Sequence, residues 1–150
     1  MSSEGKLYFE DFEIGWGAVT GSRTVTEADI VNFAGVSGDF NPLHMDEEFA
    51  KTTPFGRRIV HGLLGMAMGT GLPRNHPPLA ILAFLGIREW NFKAPIFIGD
   101  TIHMKYTVVE KRETSKKDRG LVIFKRQIIN QKGEIVQEGQ ALLLLLRRQK

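Results

Sequence analysis

From Val60 to Leu72 the chain carries no charged side chain: after His61-Gly62 it runs Leu63-Leu64-Gly65-Met66-Ala67-Met68-Gly69-Thr70-Gly71. A helix that is apolar on every side has to be surrounded by protein, so the segment predicts a buried helix with the rest of the chain built around it. Gly62, Gly65 and Gly69 recur at intervals of three and four, which places them on one helical face. Each glycine costs about 1 kcal/mol of helix propensity, so that face is expected to pack very closely, helix on sheet. The chain is not expected to span a membrane. Its longest aliphatic run, Ala141 to Leu146, is far short of the ~18 residues a spanning helix needs.

On either side of this helix the periodicity differs. Upstream, Thr26 precedes Glu27-Ala28-Asp29 as an N-cap with acidic residues in the first turn, and Ile30, Phe33 and Ala34 share one face of a short helix ending near Gly35 to Gly38. Asp46 is placed to cap a second short helix through Glu47, Glu48, Phe49 and Ala50, stopped by Thr52-Thr53-Pro54. Downstream of the breaker stretch Pro73 to Pro78, alternation takes over: Ile102, Met104, Tyr106 and Val108 oppose His103, Lys105 and Thr107. Ser115 to Gly120 reads as a hairpin tip and Lys132-Gly133 as a tight turn, joining strands near 121–131 and 134–147. With Leu79–Leu85 and Arg88–Phe92, the expectation is an α+β domain in which an antiparallel sheet of about five strands wraps the helix.

The 150 residues suit one domain, 1–150, large enough to enclose a site. The absence of cysteine excludes disulfides, thiolate nucleophiles and thiolate metal sites. A net charge of +3 tolerates an anionic ligand and does not argue for nucleic acid. The start, Met1-Ser2-Ser3-Glu4-Gly5-Lys6, lacks the basic-then-apolar pattern of a secretory signal, so a cytoplasmic location is expected.

The densest polar cluster is Ser37-Gly38-Asp39-Phe40-Asn41-Pro42-Leu43-His44. A turn at Asn41-Pro42 can bring Asp39 and His44 to face one point, the arrangement that holds a water between an acid and a base. An imidazole with an ordinary pKa of ~6.5 can cycle a proton there near neutral pH. The second feature is His61-Gly62 at the head of the apolar helix. A first helical turn offers unpaired N–H groups, and a glycine there leaves room for a carbonyl oxygen, which describes an oxyanion site.

Gly38-Asp39-Phe40-Asn41-Pro42-Leu43-His44, followed by Ile59-Val60-His61-Gly62-Leu63 and by Pro95-Ile96-Phe97-Ile98-Gly99-Asp100, resembles the MaoC-like (R)-specific enoyl-CoA hydratases over nearly the whole chain. The resemblance implies a hot-dog fold, a long central helix wrapped by an antiparallel sheet. It implies an Asp39–His44 dyad that activates water for addition across a trans-2-enoyl thioester, or the reverse, with the Gly62 N–H polarising the thioester carbonyl. No metal and no cofactor is implied; the acyl-CoA thioester is itself the substrate. Asn41 is implied to fix the dyad loop, and Thr70 stands where some members carry a serine that supports the active-site carboxylate. Arg57 and Arg58, between the two motifs, are the expected phosphate contacts of CoA. The resemblance also implies a homodimer or larger assembly, since a lone hot-dog domain leaves sheet edges open.

Other readings of the same residues are a carrier-protein dehydratase, a hot-dog thioesterase and a non-catalytic partner subunit, since fold alone does not give function. His44 and Asp46 with His61 formally resemble a two-histidine, one-carboxylate iron site, but Asp46 is better used as a helix cap. Gly35-Val36-Ser37-Gly38-Asp39 misses the nucleophile elbow of serine hydrolases, and Gly15-Trp16-Gly17 lacks the remainder of a dinucleotide fingerprint. The ring of His61 is expected to be a structural hydrogen-bonding group, His76 and His103 surface residues, and the basic clusters at 116–119 and 147–150 a solvated hairpin tip and tail.

Overall fold

The helical first half and the strand-forming second half separate as the periodicity requires. In the computed structural model, which describes residues 5–73 and 77–149, two short strands, β1 (Gly17–Val19) and β2 (Arg23–Thr24), lead into helix α1 (Glu27–Ser37). Then come α2 (Pro42–Met45), α3 (Glu47–Lys51) and α4 (Gly62–Gly71), and after them β3 (Ile81–Phe92), β4 (Thr101–Glu113), β5 (Arg119–Ile129) and β6 (Ile135–Leu146). The six strands form one antiparallel sheet in the order β1-β4-β5-β6-β3, with β2 also on β4. With α4 lying against one face, this is the α+β hot-dog architecture.

Local chemistry accounts for the element ends. The Thr26 hydroxyl accepts the Asp29 N–H while the Asp29 carboxylate accepts the Thr26 N–H, a reciprocal cap at the start of α1. Gly38 ends that helix at φ +76°, the left-handed conformation that costs a glycine nothing. Asp46 accepts from the Phe49 N–H to start α3. Ile102, Met104, Tyr106 and Val108 are all buried along β4, as their alternation requires.

The glycine face of α4 lies on the sheet. A Cβ at Gly62 would come within 2.8 Å of the Phe92 ring, one at Gly69 within 2.9 Å of the Ile128 terminal methyl, and one at Gly65 would collide with the Gln137 amide and stand 2.8 Å from Ile96.

Four expectations are corrected. The central helix is not long: α4 has ten residues and ends at Gly71, just ahead of Pro73, which has no backbone N–H to continue the helical ladder. The sheet has six strands rather than about five, because β1 and β2, three and two residues long, are too short to show alternation and form only against β4. From Ile81 on, the segments expected over Leu79–Leu85 and Arg88–Phe92 are one strand, β3, with register slips on β6 at three places and Glu89 at φ +47°. Bulges absorb the irregularity that interrupts the pattern. Finally, α4 is covered on one face only: Leu63 is 60% exposed, and along edge strand β3 the side chains of Ile81, Leu82, Phe84, Leu85, Ile87 and Phe92 are exposed as well. His103 is half-buried, and His76 lies outside the described residues. Among the described residues no helix is long and apolar enough to cross a membrane.

Candidate active site

The loop after Gly38 is built from side chains satisfying backbone groups. Asp39 N–H donates to Ser37 Oγ at 3.1 Å, Asn41 N–H to Asp39 Oδ1 at 3.2 Å, and Leu43 N–H to Asn41 Oδ1 at 3.0 Å. The last of these caps α2, which has Pro42 at its start. This one-turn helix, unread in the sequence, carries His44 inward; the residue is 9% exposed. Asn41 thus fixes the loop, and its carboxamide oxygen is already engaged.

His44 Nδ1 lies 2.7 Å from the carbonyl of Ile59. A carbonyl only accepts, so Nδ1 carries a proton, and the remaining nitrogen, Nε2, faces Asp39 Oδ2 at 3.9 Å. That separation is too long for a direct hydrogen bond. A water oxygen about 2.8 Å from each atom closes a triangle on that base with an angle near about 90° at the water. The Asp39 side chain is 51% exposed, so the gap opens to solvent from the carboxylate side.

His61 organises both partners. Its ring, 2% exposed, donates through Nε2 to the Asp39 carbonyl at 2.9 Å. It stacks on the His44 ring at 3.9 Å with planes 28° apart, and the Phe33 ring of α1 lies 4.9 Å away. Its Nδ1 is buried with no hydrogen-bond partner among the described residues. The strap into α4 is tied down by Ile59 N–H to Leu43 O at 3.3 Å and Val60 N–H to Ile96 O at 2.8 Å. Hence α4 begins beside the dyad, with His61 as N-cap and Gly62 as first residue. The first N–H groups of a helix have no partner within it, and the Gly62 carbonyl is held by Gln137 Nε2 at 3.0 Å.

Potential ligand atoms of Asp39, His44 and His61 lie within 4.8 Å of one another. Two nearly parallel stacked rings keep their in-plane lone pairs side by side, whereas a metal needs them convergent at about 2.0–2.1 Å. The set is suited to stacking and hydrogen bonding. Asp46, part of the iron-site reading, is occupied as the cap of α3.

The outer residues separate. Arg58 binds both carboxylate oxygens of Glu27 at 2.9 and 2.6 Å and Glu47 at 3.0 Å, bridging α1 to α3; those carboxylates push its pKa further up, and the guanidinium in turn holds Glu27 below the usual carboxylate range. That guanidinium is spent on structure. Arg57 is exposed, its guanidinium 3.8 Å from the centre of the Phe97 ring. Thr70 Oγ1 donates to Ala67 O at 2.6 Å and lies two turns, about 12 Å, beyond Gly62 at 1.5 Å per residue. Within one chain it does not support Asp39. It lines a cleft with Met66 and Gly69 of α4, Phe84 and Trp90 of β3, and Arg126 of β5. Sequence reasoning missed Gln137 and Arg126. Both stand in strands where alternation alone marks a polar side chain as inward-facing.

The chain is 40% identical over 109 residues to the 3-hydroxybutyryl-CoA dehydratase of Methylorubrum extorquens, covering 69% of this chain and 65% of that protein. It is 38% identical over 143 residues to the (R)-specific enoyl-CoA hydratase of Rhodospirillum rubrum, covering 92% of this chain and 91% of the relative. It therefore spans about two thirds of the first relative's length and nearly all of the second's. Among solved structures, the monoamine oxidase regulatory protein of Archaeoglobus superposes with a TM-score of 0.90 at 36% identity, over 99% of this chain and 100% of that one. Residues 14–125 match the family described as MaoC like domain, a span that takes in the dyad loop, the strap and α4, and on that match the chain belongs to the MaoC-like dehydratase family.

Proposed function

We propose that the chain is a hydro-lyase that adds water to trans-2-enoyl thioesters to give (R)-3-hydroxyacyl thioesters, or catalyses the reverse dehydration. The observation that carries this reading is the gap between Asp39 Oδ2 and His44 Nε2, 3.9 Å across, beside the first residue of α4. In the hydration direction the free Nε2 takes a proton from the water while Asp39 orients it for attack at C3 of the enoyl group. The Gly62 N–H stabilises the negative charge developing on the thioester oxygen. The proton held on His44 returns to C2, so the dyad ends the cycle as it began. Names of the relatives support hydration or dehydration of acyl thioesters; the (R) hand rests on the family resemblance.

Arg57, exposed over Phe97 on the strap that leads to Gly62, is the residue we assign to a substrate phosphate, from CoA or from a carrier-protein prosthetic group. The apolar row on β3 and Leu63 on α4 support a homodimer in which a second copy covers the open face of the helix.

The test is loss of enoyl absorbance when the purified protein meets crotonyl-CoA or the crotonyl-carrier-protein, with free thiol followed in parallel. Loss without thiol release, lowered at least about 100-fold in Asp39→Asn, is the expected result. Thiol release that survives in Asp39→Asn would make the protein a thioesterase. No reaction with either thioester would end the dyad mechanism.

A further inference from the structure

Along β5 the side chains of Val122, Phe124, Arg126 and Ile128 share the helix-facing side, and the three apolar ones are fully buried. Arg126 therefore projects a cation into the layer between the sheet and α4. Its in-register neighbours are Tyr106 on β4 and Gly139 on β6. Gly139 contributes no side chain, and Trp90 packs so closely over it that a Cβ would stand 2.7 Å from the indole. The guanidinium lies 5.6 Å from the centre of the Phe84 ring.

No anion answers this cation. Its Nε is buried with no hydrogen-bond partner, and among the described residues no carboxylate lies within ion-pairing distance of the guanidinium. The ionisable group beside it is the Tyr106 phenol, whose own burial pushes its pKa up and keeps it neutral. Burial draws the Arg126 pKa down, yet a guanidinium remains protonated in proteins. Every other cation discussed above is either paired with a carboxylate or stands in solvent. Arg126 is instead held inward, lining a small cleft with Met66, Gly69, Thr70, Phe84 and Trp90.

The cleft flanks the second half of α4, whose first residue is the thioester end of the proposed site. Gly62 and Gly69 are seven residues apart, about 10 Å at 1.5 Å per residue. An acyl chain held at Gly62 by its thioester carbonyl and laid along the helix brings its far end to Arg126. A wholly aliphatic tail would leave the guanidinium desolvated and unpaired, which is costly. A terminal carboxylate would meet it with two parallel charge-assisted hydrogen bonds.

We propose that Arg126 makes this cleft a subsite for an acyl group ending in a carboxylate, so that the preferred thioester is the mono-CoA ester of an unbranched dicarboxylic acid. The inference rests on the hydro-lyase reading for the position of the thioester, and its test is separable from that reading because it measures binding without turnover. Calorimetric titration compares the saturated analogues adipyl-CoA and suberyl-CoA with hexanoyl-CoA and octanoyl-CoA, on the wild type, Arg126→Met and Arg126→Lys.

The expected result is that one of the two diacid thioesters binds the wild type about 10- to 100-fold more tightly than its neutral partner. Arg126→Met erases that preference, and Arg126→Lys keeps part of it. Equal affinity within both pairs, or a preference that survives Arg126→Met, overturns the proposal. The wild-type comparison decides the matter even if a variant fails to fold. The matching enoyl thioesters are then assayed for hydration: if none turns over while the diacid preference stands, the hydro-lyase reading falls and the carboxylate subsite remains.

Discussion

Replacing Gly65 with alanine tests the claim that the glycine face of α4 exists for close approach to the sheet. On propensity alone the change stabilises a helix by about 1 kcal/mol. In the fold, the new methyl would collide with the Gln137 amide and stand 2.8 Å from Ile96 Cδ1. Gln137 is 2% exposed and has little room to retreat: Nε2 donates to Gly62 O at 3.0 Å, and Oε1 accepts from Trp90 Nε1 at 3.2 Å. Overpacking costs about 1–3 kcal/mol, and displacing the amide loses two hydrogen bonds of about 1 kcal/mol each. Less the propensity gain, the net destabilisation is about 2–4 kcal/mol, or about 5–15 °C in Tm for a domain of this size. Gly35→Ala is the control, because a Cβ at that exposed position of α1 meets nothing within 4 Å and only the propensity gain should remain. Thermal unfolding followed by circular dichroism reads both. A Gly65→Ala protein that melts at or above the wild-type temperature, alongside a stabilised Gly35→Ala protein, would refute the packing argument.

Arg58→Gln removes the clamp between Glu27 and Glu47. Because Arg58 depresses the Glu27 pKa below its ordinary value of 4.5, the clamp's stabilisation is full above that pH and fades as pH falls through the lower folded-state value. The variant should therefore melt about 2–4 °C below wild type at pH 7, with the gap narrowing as pH falls below 4.5; a gap that does not narrow on acidification would contradict the electrostatic account. Leu85→Glu puts a charge in the exposed apolar row of β3, where Leu85 is 55% exposed. Sedimentation should show wild type as a dimer and the variant shifted toward monomer; a monomeric wild type would remove that role for β3.

The stretches readable from sequence are those whose structure is decided within a few residues. The Thr26 and Asp46 caps work through contacts three residues away. Gly38 ends α1 by its own φ, and Gly133, at φ +77° in the β5–β6 turn, marks its turn in the same way. The alternation of β4 follows from the pleat. The dyad loop belongs here too, since Asp39, Asn41 and Leu43 bond to one another over two residues.

What tertiary structure alone decided involves partners far apart in sequence. Strands β1 and β2 exist because β4 offers them an edge. The segments on either side of Gly86 became one strand because β6 supplies a continuous ladder that bulges can follow. Arg58 reads as a free cation until α1 brings Glu27 beside it, 31 residues away. The His44–His61 stack and the Gln137 bridge to Gly62, 75 residues apart, depend on how α4 seats on the sheet. Side-chain type and local spacing determined which groups could do chemistry; the long-range packing of helix on sheet decided which of them were left free to do it.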